Sequence, residues 1–348
     1  MLKQYHTIKG KYRDCLLFYR LGDFYEMFYE DARIASEILD LVLTSRGKGP
    51  NGKVPMCGIP FHSAHTYIPK LIKAGKKIAI CEQVEDPAAA KGIVKRDVVR
   101  VITSGTFIDE TVSSPRIIMC LYFTKKMIGA AFTDATSGTI KTVEYNDPGE
   151  VIELIAKKPV YECIYPSRDQ ERVDSLFAHP LLSNQEIARS CWDEWCFNEE
   201  IARKSLCDHF EIHNLRGFGI QDMAAAAAAS GALLEYLKQM NRQPLRHISK
   251  VVPFSESEYA YISPAACYGL ELESLFETLD ETNCALGKRT FRHWLYNPLK
   301  NVSAIQARQN AVRVLKDNAD VCEALIALLK GMPDIDKHLS RISCGYTS

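Results

Sequence analysis

Two β-rich runs lie close to the start of the chain, residues 16–21 (LLFYRL) and 24–29 (FYEMFY), separated only by Gly22 and Asp23. A two-residue spacer containing glycine suits a tight turn, so the pattern predicts an antiparallel hairpin. Along its second strand Tyr25, Met27 and Tyr29 share one face, while Phe24, Glu26 and Phe28 share the other. One face therefore carries both apolar rings and an acid, with Phe24 beside the turn and about 7 Å from Glu26 at ~3.4 Å per residue. After the hairpin, Ile34, Ile38, Leu39 and Val42 recur at helical spacing and predict a helix over 31–43. Residues 66–74 offer a second helix ahead of an apolar strand at 77–81. A polar passage follows at 103–116, with Gly105 and a break at Ser113-Ser114-Pro115.

Beyond the break the period changes. Runs at 117–123, 128–133 and 139–145 read as strands, 150–157 as a helix and 162–165 as a further strand, which together suggest an α/β layer. The alanine-rich stretch at 223–234 reads as a tightly packed helix. From about Pro244, after a short irregular passage, amphipathic segments at 265–279, 286–296, 302–316 and 321–329 predict a mainly helical region. The fold class is thus multidomain: mixed α/β over 1–104, a linker over 105–116, a second α/β domain over 117–243 and a helical segment over 244–348.

Composition agrees with two or three domains, since 348 residues at 47% hydrophobic can bury sizeable cores. The net charge is zero, but its distribution is uneven. Residues 46–100 carry 11 Lys or Arg against 4 Asp or Glu, whereas residues 1–45 carry 6 against 7. A basic stretch beside the hairpin makes Lys70, Lys73, Lys76, Lys77, Lys91, Lys95, Arg96 and Arg100 candidates for phosphate contacts. Taken singly, each is an ordinary solvated side chain. On pattern alone the hairpin too has a plain structural explanation, with Phe24 in the core and Glu26 as an edge carboxylate that discourages strand addition.

Other chemistry is sparse. The 12 cysteines are scattered with no CxxC pair and no secretory leader, which points to free thiols in a reducing, cytoplasmic setting. Cys207, His209 and His213 lie close in sequence but lack a second pair at zinc spacing, so no metal is expected. No run approaches the ~20 apolar residues of a membrane span. A phosphate-cradling Gly-x-x-x-x-Gly-Lys-Ser/Thr string is absent, and residues 47–53, though rich in Gly and Lys, have the wrong spacing and read as a loop. This polypeptide alone is not expected to hydrolyse ATP or to carry a cofactor.

The string Gly22-Asp23-Phe24-Tyr25-Glu26-Met27-Phe28-Tyr29-Glu30-Asp31-Ala32 resembles the N-terminal mismatch-binding domain of bacterial MutS proteins. So do Val54-Pro55-Met56-Cys57-Gly58-Ile59-Pro60-Phe61-His62, Ile80-Cys81-Glu82-Gln83 and Asp86-Pro87, in the family's order and spacing. The similarity continues through residues 99–106, Gly217-Phe218-Gly219, Leu270-Glu271-Leu272, Leu286-Gly287-Lys288-Arg289, Trp294-Leu295 and Pro298. It covers nearly the whole chain, and no single motif carries it.

The resemblance implies that Phe24 and Glu26 match the family's Phe-x-Glu motif, which enters the minor groove at a mispaired or unpaired base. The residue types suit the task. A ring can wedge between base steps at an unstacking cost of a few kcal/mol, and a mismatch has already lost part of that stacking. A carboxylate is repelled by ordinary duplex and offsets that at a mismatch by a hydrogen bond to the displaced base. The resemblance further implies an RNase H-like connector over the second domain, the start of a helical core or lever after it, and a nucleoid-associated protein. It places a DNA clamp and an ATPase domain, with ATP, Mg²⁺ and the homodimer contact, outside these residues, and assigns a downstream repair partner to the connector. Two alternatives stand beside it. An RNase H-like metal-dependent nuclease would use Asp134, but converging partner carboxylates are missing and Asp134 reads as a turn residue. A recombination-type relative that binds branched DNA would lack the Phe-x-Glu hairpin.

Overall fold

The computed structural model describes residues 1–49, 52–85, 92–107, 116–134, 137–183, 185–242, 244–255, 259–260, 262–335, 338–339 and 342. The chain divides into two compact units, Met1–Asp109 with Tyr236–Leu245, and Glu110–Glu235 with Arg246–Ser348. Among the described residues no helix is long and apolar enough to cross a membrane.

The first unit runs α1 (Leu2–Lys9), β1 (Cys15–Leu21), β2 (Phe24–Phe28), α2 (Tyr29–Leu39), β3 (Thr44–Gly49), β4 (Gly52–Pro60), α3 (Ala64–Lys73), β5 (Lys77–Gln83) and β6 (Arg96–Ile102). Its six strands order as β3-β4-β2-β1-β5-β6. Only β1 and β5 pair in parallel; the other neighbours are antiparallel. Helices α2 and α3 cover one face, where Phe18, Tyr25, Met27, Ile59 and Ile78 meet Ala32, Ala35, Ile68 and Leu71. On the other face Tyr5 of α1 stands edge-on to Tyr19 and Phe28, with ring centroids 5.6 and 5.1 Å apart. Because both faces are covered, β1 reads as a near-continuous apolar run rather than an alternation. Each large side chain fully withdrawn from water, such as Phe18 or Met27, contributes about 1.5–3 kcal/mol.

One buried acid fastens these layers. Asp31, in the first turn of α2, receives Lys9 Nζ at 2.8 Å, the Tyr5 hydroxyl at 3.0 Å and the Leu17 amide at 3.1 Å. Burial, reinforced by the Asp31 charge, pushes the Tyr5 phenol well above its ordinary range, so it remains a donor.

Two sequence expectations need correcting here. The helix predicted over 31–43 ends at Leu39, because Asp40 turns left-handed (φ 54°) and closes it, and Val42 is 81% exposed. The periodicity simply overran its cap. Residues 47–53 are not just a loop: β3 and β4 extend into them and pair Gly49 with Gly52. Glycine-rich composition hid a strand that pairing supplies.

The second unit carries β7 (Ile117–Phe123), β8 (Ile128–Asp134), β9 (Thr139–Tyr145), α4 (Pro148–Ala156), β10 (Val160–Pro166), α5 (Gln170–Phe177), β11 (Ala188–Trp192), α6 (Glu199–Phe210), α7 (Ala224–Asn241, of which the part from Tyr236 is counted with the first unit) and β12 (Lys250–Pro253). Its sheet orders as β11-β10-β7-β8-β9-β12. The first three strands in sequence pair antiparallel, and β10, β11 and β12 join in parallel. Asp147 caps α4 by accepting from the Gly149 amide, with Pro148 at the first helical position.

The alanine-rich helix α7 is as tightly packed as its composition suggests. A Cβ on Gly129 of β8 would come 2.1 Å from the Ala225 carbonyl oxygen, and one on Gly231 would come 2.5 Å from Ala202 Cβ of α6. Small residues on both sides let backbones approach. Thr142 then bridges sheet and helix, its hydroxyl lying 3.1 Å from the Ala130 carbonyl and 3.2 Å from that of Ala226.

The predicted helical region contains α8 (Pro264–Gly269), α9 (Leu272–Leu279), α10 (Ala285–Tyr296), α11 (Val302–Asp317) and α12 (Ala319–Leu329). The single helix expected over 265–279 is split at Glu271, whose φ of 48° breaks the ladder. Phe276 stacks on Phe291 at 5.6 Å, and Arg292 holds Glu273 with both nitrogens, joining α9 to α10.

Candidate nucleic-acid interface

The predicted hairpin is present: Leu21 faces Phe24 across Gly22-Asp23, and Gly22 adopts φ 57°, which glycine tolerates without strain. The strand β2 lies between β1 and β4, not at an edge. Phe24 is 47% exposed, whereas Tyr25, Met27 and Phe28 behind it are buried. Neither half of the plain structural explanation survives, since Phe24 is not in the core and Glu26 does not guard an edge. The ring is thus held half exposed at the turn of an interior hairpin, beside the partly exposed Phe61.

The surroundings of this tip are ordered. Phe24 pairs with Pro60 of β4, and the amide of the following Phe61 donates to the Asp23 carbonyl at 2.9 Å. Phe61 is itself 39% exposed, with the Arg20 guanidinium 3.5 Å from its ring centroid. Arg20 Nε also donates to the Gly22 carbonyl, bracing the turn. Tyr25 donates its hydroxyl to Glu82; burial first, and then this bond, raise the phenol pKa. Glu26 accepts from Arg46 of β3, whose Nη1 lies 2.7 Å from Oε1 and 2.5 Å from Oε2.

The candidate cations do not converge on the tip. Because β1 and β5 run parallel, Lys77 pairs with Cys15, six residues from Leu21 and roughly 20 Å from the turn at ~3.3 Å per residue. Lys70 and Lys73, exposed in the last turn of α3, and Lys76 in the turn after it, belong to that far end. Lys77 there pairs with Asp14 at 3.3 Å. Lys95 and Arg96 are at the near end, where Arg96 Nε donates to the Arg20 carbonyl at 2.6 Å. Lys95 is exposed, but Arg96 and Arg100 are buried, and Arg100 donates to the Thr106 carbonyl at 3.2 Å. Lys91 lies outside the described residues.

Family models account for most of the chain in order: MutS domain I matches residues 1–111, MutS domain II residues 116–249 and MutS domain III residues 265–348. Proteins named DNA mismatch repair protein MutS align along its length. That of Lachnoclostridium phytofermentans is 36% identical over 356 residues, covering 99% of this chain and 38% of the relative. That of Alkaliphilus oremlandii is 36% identical over 361 residues, covering 99% and 41%. That of Flavobacterium psychrophilum is 33% identical over 359 residues, covering 100% and 41%. The chain belongs to the MutS family. It spans about two-fifths of the length of the curated relatives it matches.

Elsewhere two further candidates from the sequence, His209 and Asp134, have the following surroundings among the described residues. His209 Nε2 lies 2.9 Å from the Ile248 carbonyl oxygen, which ties its ring to the passage before β12. Asp134 ends β8 opposite Ile117, and among the described residues no three His, Cys, Asp or Glu side chains gather as a metal site would require. Sequence reasoning missed Arg20, Arg46 and Phe61. The string Pro60-Phe61-His62 was a visible signal for Phe61; Arg20 lies in the hairpin's first strand but its place against Phe61 depends on β4, and only strand pairing brings Arg46 of β3 to Glu26.

Proposed function

We infer that the first unit recognises mispaired or unpaired bases in duplex DNA, as an early step of mismatch repair. The observation that carries this reading is the half-exposed Phe24 ring at the tip of a rigid interior hairpin, two residues from Glu26. Phe24 is the wedge that enters a base step, and base–aromatic stacking of about 1–3 kcal/mol per base offsets the cost of opening the step. A defect lowers that cost and a paired step does not, so preference follows from deformability. Glu26 is the discriminator, bonding to the edge of the displaced base. Lys95 at the near end, and Lys70, Lys73, Lys76 and Lys77 at the far end, supply sequence-independent phosphate contacts. Lys91 joins this proposed set by its place in the basic stretch alone.

The order β11-β10-β7-β8-β9, with three antiparallel strands followed by parallel additions, supports an RNase H-like reading of the second sheet as a connector for a downstream repair partner. In the longer proteins of this family, recognition is proposed to couple to ATP and Mg²⁺ in a homodimer. Among the described residues no group of three His, Cys, Asp or Glu gives the nuclease alternative a metal site.

The test is competition binding at stated salt, setting a G·T or single-base-loop duplex against its paired counterpart. A preference for the defect that vanishes in Phe24→Ala supports the reading. An equal preference in the variant, or none in the folded parent chain, refutes it.

A further inference from the structure

We propose that Arg46 governs when Glu26 acts: its guanidinium keeps the carboxylate neutralised against paired DNA and releases it only at a defect. This deepens the reading of Phe24 and Glu26 above and rests on it.

Three observations carry the proposal. First, both Glu26 oxygens lie on one Arg46 nitrogen, at 2.7 and 2.5 Å, so the acid is engaged in the free protein. Second, the pair is unevenly covered: the Glu26 side chain is 14% exposed and that of Arg46 50%. An incoming phosphate therefore meets the guanidinium before the carboxylate. Third, the strand between them carries no side chain opposite Glu26. Arg46 sits on outer strand β3, Glu26 on interior strand β2, and the residue facing Glu26 on the intervening β4 is Gly58. A Cβ at Gly58 would stand 3.6 Å from Glu26 Cγ, so the space beside the carboxylate on this strand holds no side chain.

The chemistry of release follows from what each partner prefers. A guanidinium donates to phosphate oxygens as it does to a carboxylate, so a backbone phosphate is a competent replacement. A half-exposed pair contributes little to stability, which leaves the exchange nearly balanced. On paired DNA Glu26 gains nothing by leaving Arg46, and its charge stays masked from the backbone. At a defect, insertion of Phe24 presents a displaced base edge to Glu26, and Arg46 transfers to a phosphate. The discrimination then resides in the bond gained at the defect rather than in repulsion from ordinary duplex.

The test is a double-mutant cycle of Arg46→Met and Glu26→Gln, read as affinity for the paired duplex at fixed salt. With Arg46 present, Glu26→Gln is expected to change that affinity less than about 2-fold, because the charge is already neutralised. In the Arg46→Met background the same substitution is expected to restore affinity by about 5-fold or more, because it removes a bare carboxylate near phosphates. Arg46→Lys keeps the charge without the guanidinium; in that background too Glu26→Gln is expected to change affinity for the paired duplex less than about 2-fold, and a melting temperature near the parent's in each variant controls for folding. If Glu26→Gln improves binding equally in both backgrounds, Arg46 is only a phosphate contact and the proposal falls, while the wedge reading stands provided the parent prefers the defective duplex. If the parent shows no preference, or Phe24→Ala keeps it, the wedge reading fails and takes this proposal with it.

Discussion

Replacing Asp31 by Ala tests whether the buried carboxylate behind the hairpin holds the first unit together. The side chain sits at the junction of α1, β1 and α2 and is 4% exposed. Removing it leaves its three donors with unequal prospects. Lys9 Nζ still reaches the Cys15 carbonyl at 2.6 Å, and the Tyr5 hydroxyl still has the Phe28 carbonyl at 3.3 Å. The Leu17 amide, inside the sheet, loses its 3.1 Å acceptor. Hydrogen bonds to a charged group are worth about 1.5–3 kcal/mol each, and breaking a buried ion pair from one side costs about 3–5 kcal/mol. The expected loss is therefore about 3–5 kcal/mol for Asp31→Ala. Asp31→Asn, which keeps one acceptor oxygen, should lose about half of that. Hydrogen exchange reads the effect locally: amides of β1 should exchange at least about 150-fold faster, the equivalent of ~3 kcal/mol, while β7 to β9 of the second unit serve as an unchanged internal reference. Exchange of β1 within about 5-fold of the parent would refute the reasoning and make Asp31 an ordinary surface partner.

Gly129→Ala should destabilise the second unit by upwards of about 1–3 kcal/mol, since its Cβ meets backbone atoms of Ala225 that cannot rotate away; a denaturation midpoint equal to the parent's would contradict the close approach. Lys95→Ala should weaken binding to paired and defective duplexes alike and flatten the salt dependence by about 0.9 in slope, with no change in melting temperature. By contrast Arg96→Ala should lower the melting temperature, because its buried guanidinium holds the carbonyls of Arg20 and Val94 at 2.6 and 2.8 Å. Burial, chiefly, pushes the Cys15 and Cys81 thiols up to about 12. A thiol pKa raised on folding contributes stability that is complete below the unfolded value near 8.5 and is lost as pH rises toward the folded value. The denaturant midpoint should thus fall between pH 8 and pH 10, by less in a Cys15→Ala/Cys81→Ala variant; an equal fall in both would show the thiols are not responsible.

Local signals were legible where a single segment decides its own conformation. The hairpin at 16–29 follows from two β-rich runs and a glycine that accepts positive φ, and the strands at 117–123 and 139–145 agree with their predicted bounds. The alanine run at 223–234 announced close packing, because only small side chains let α7 meet Gly129. Legibility failed where a cap or a partner strand decided the outcome. The helix predicted to residue 43 stops at Leu39 through a left-handed Asp40, and the glycine-rich 47–53 region carries the ends of β3 and β4, which pair with each other. Charge was the least legible property. The basic excess over 46–100 looked like one patch, yet strand direction sends Lys77 and its neighbours to one end of the sheet and Lys95 to the other, and burial turns Arg96 and Arg100 inward.

What the chain's own residues determined, then, is the family, the hairpin and a part of the later elements, and the identity of Phe24 and Glu26 as a pair on one strand face, since these depend on short-range pattern and motif spacing. Only the tertiary structure decided that β2 is interior, that Phe24 stands out of the core and that Arg46 holds Glu26. Those are consequences of pairing between segments tens of residues apart, and strand register and burial are properties of the assembled sheet that no local window of sequence contains.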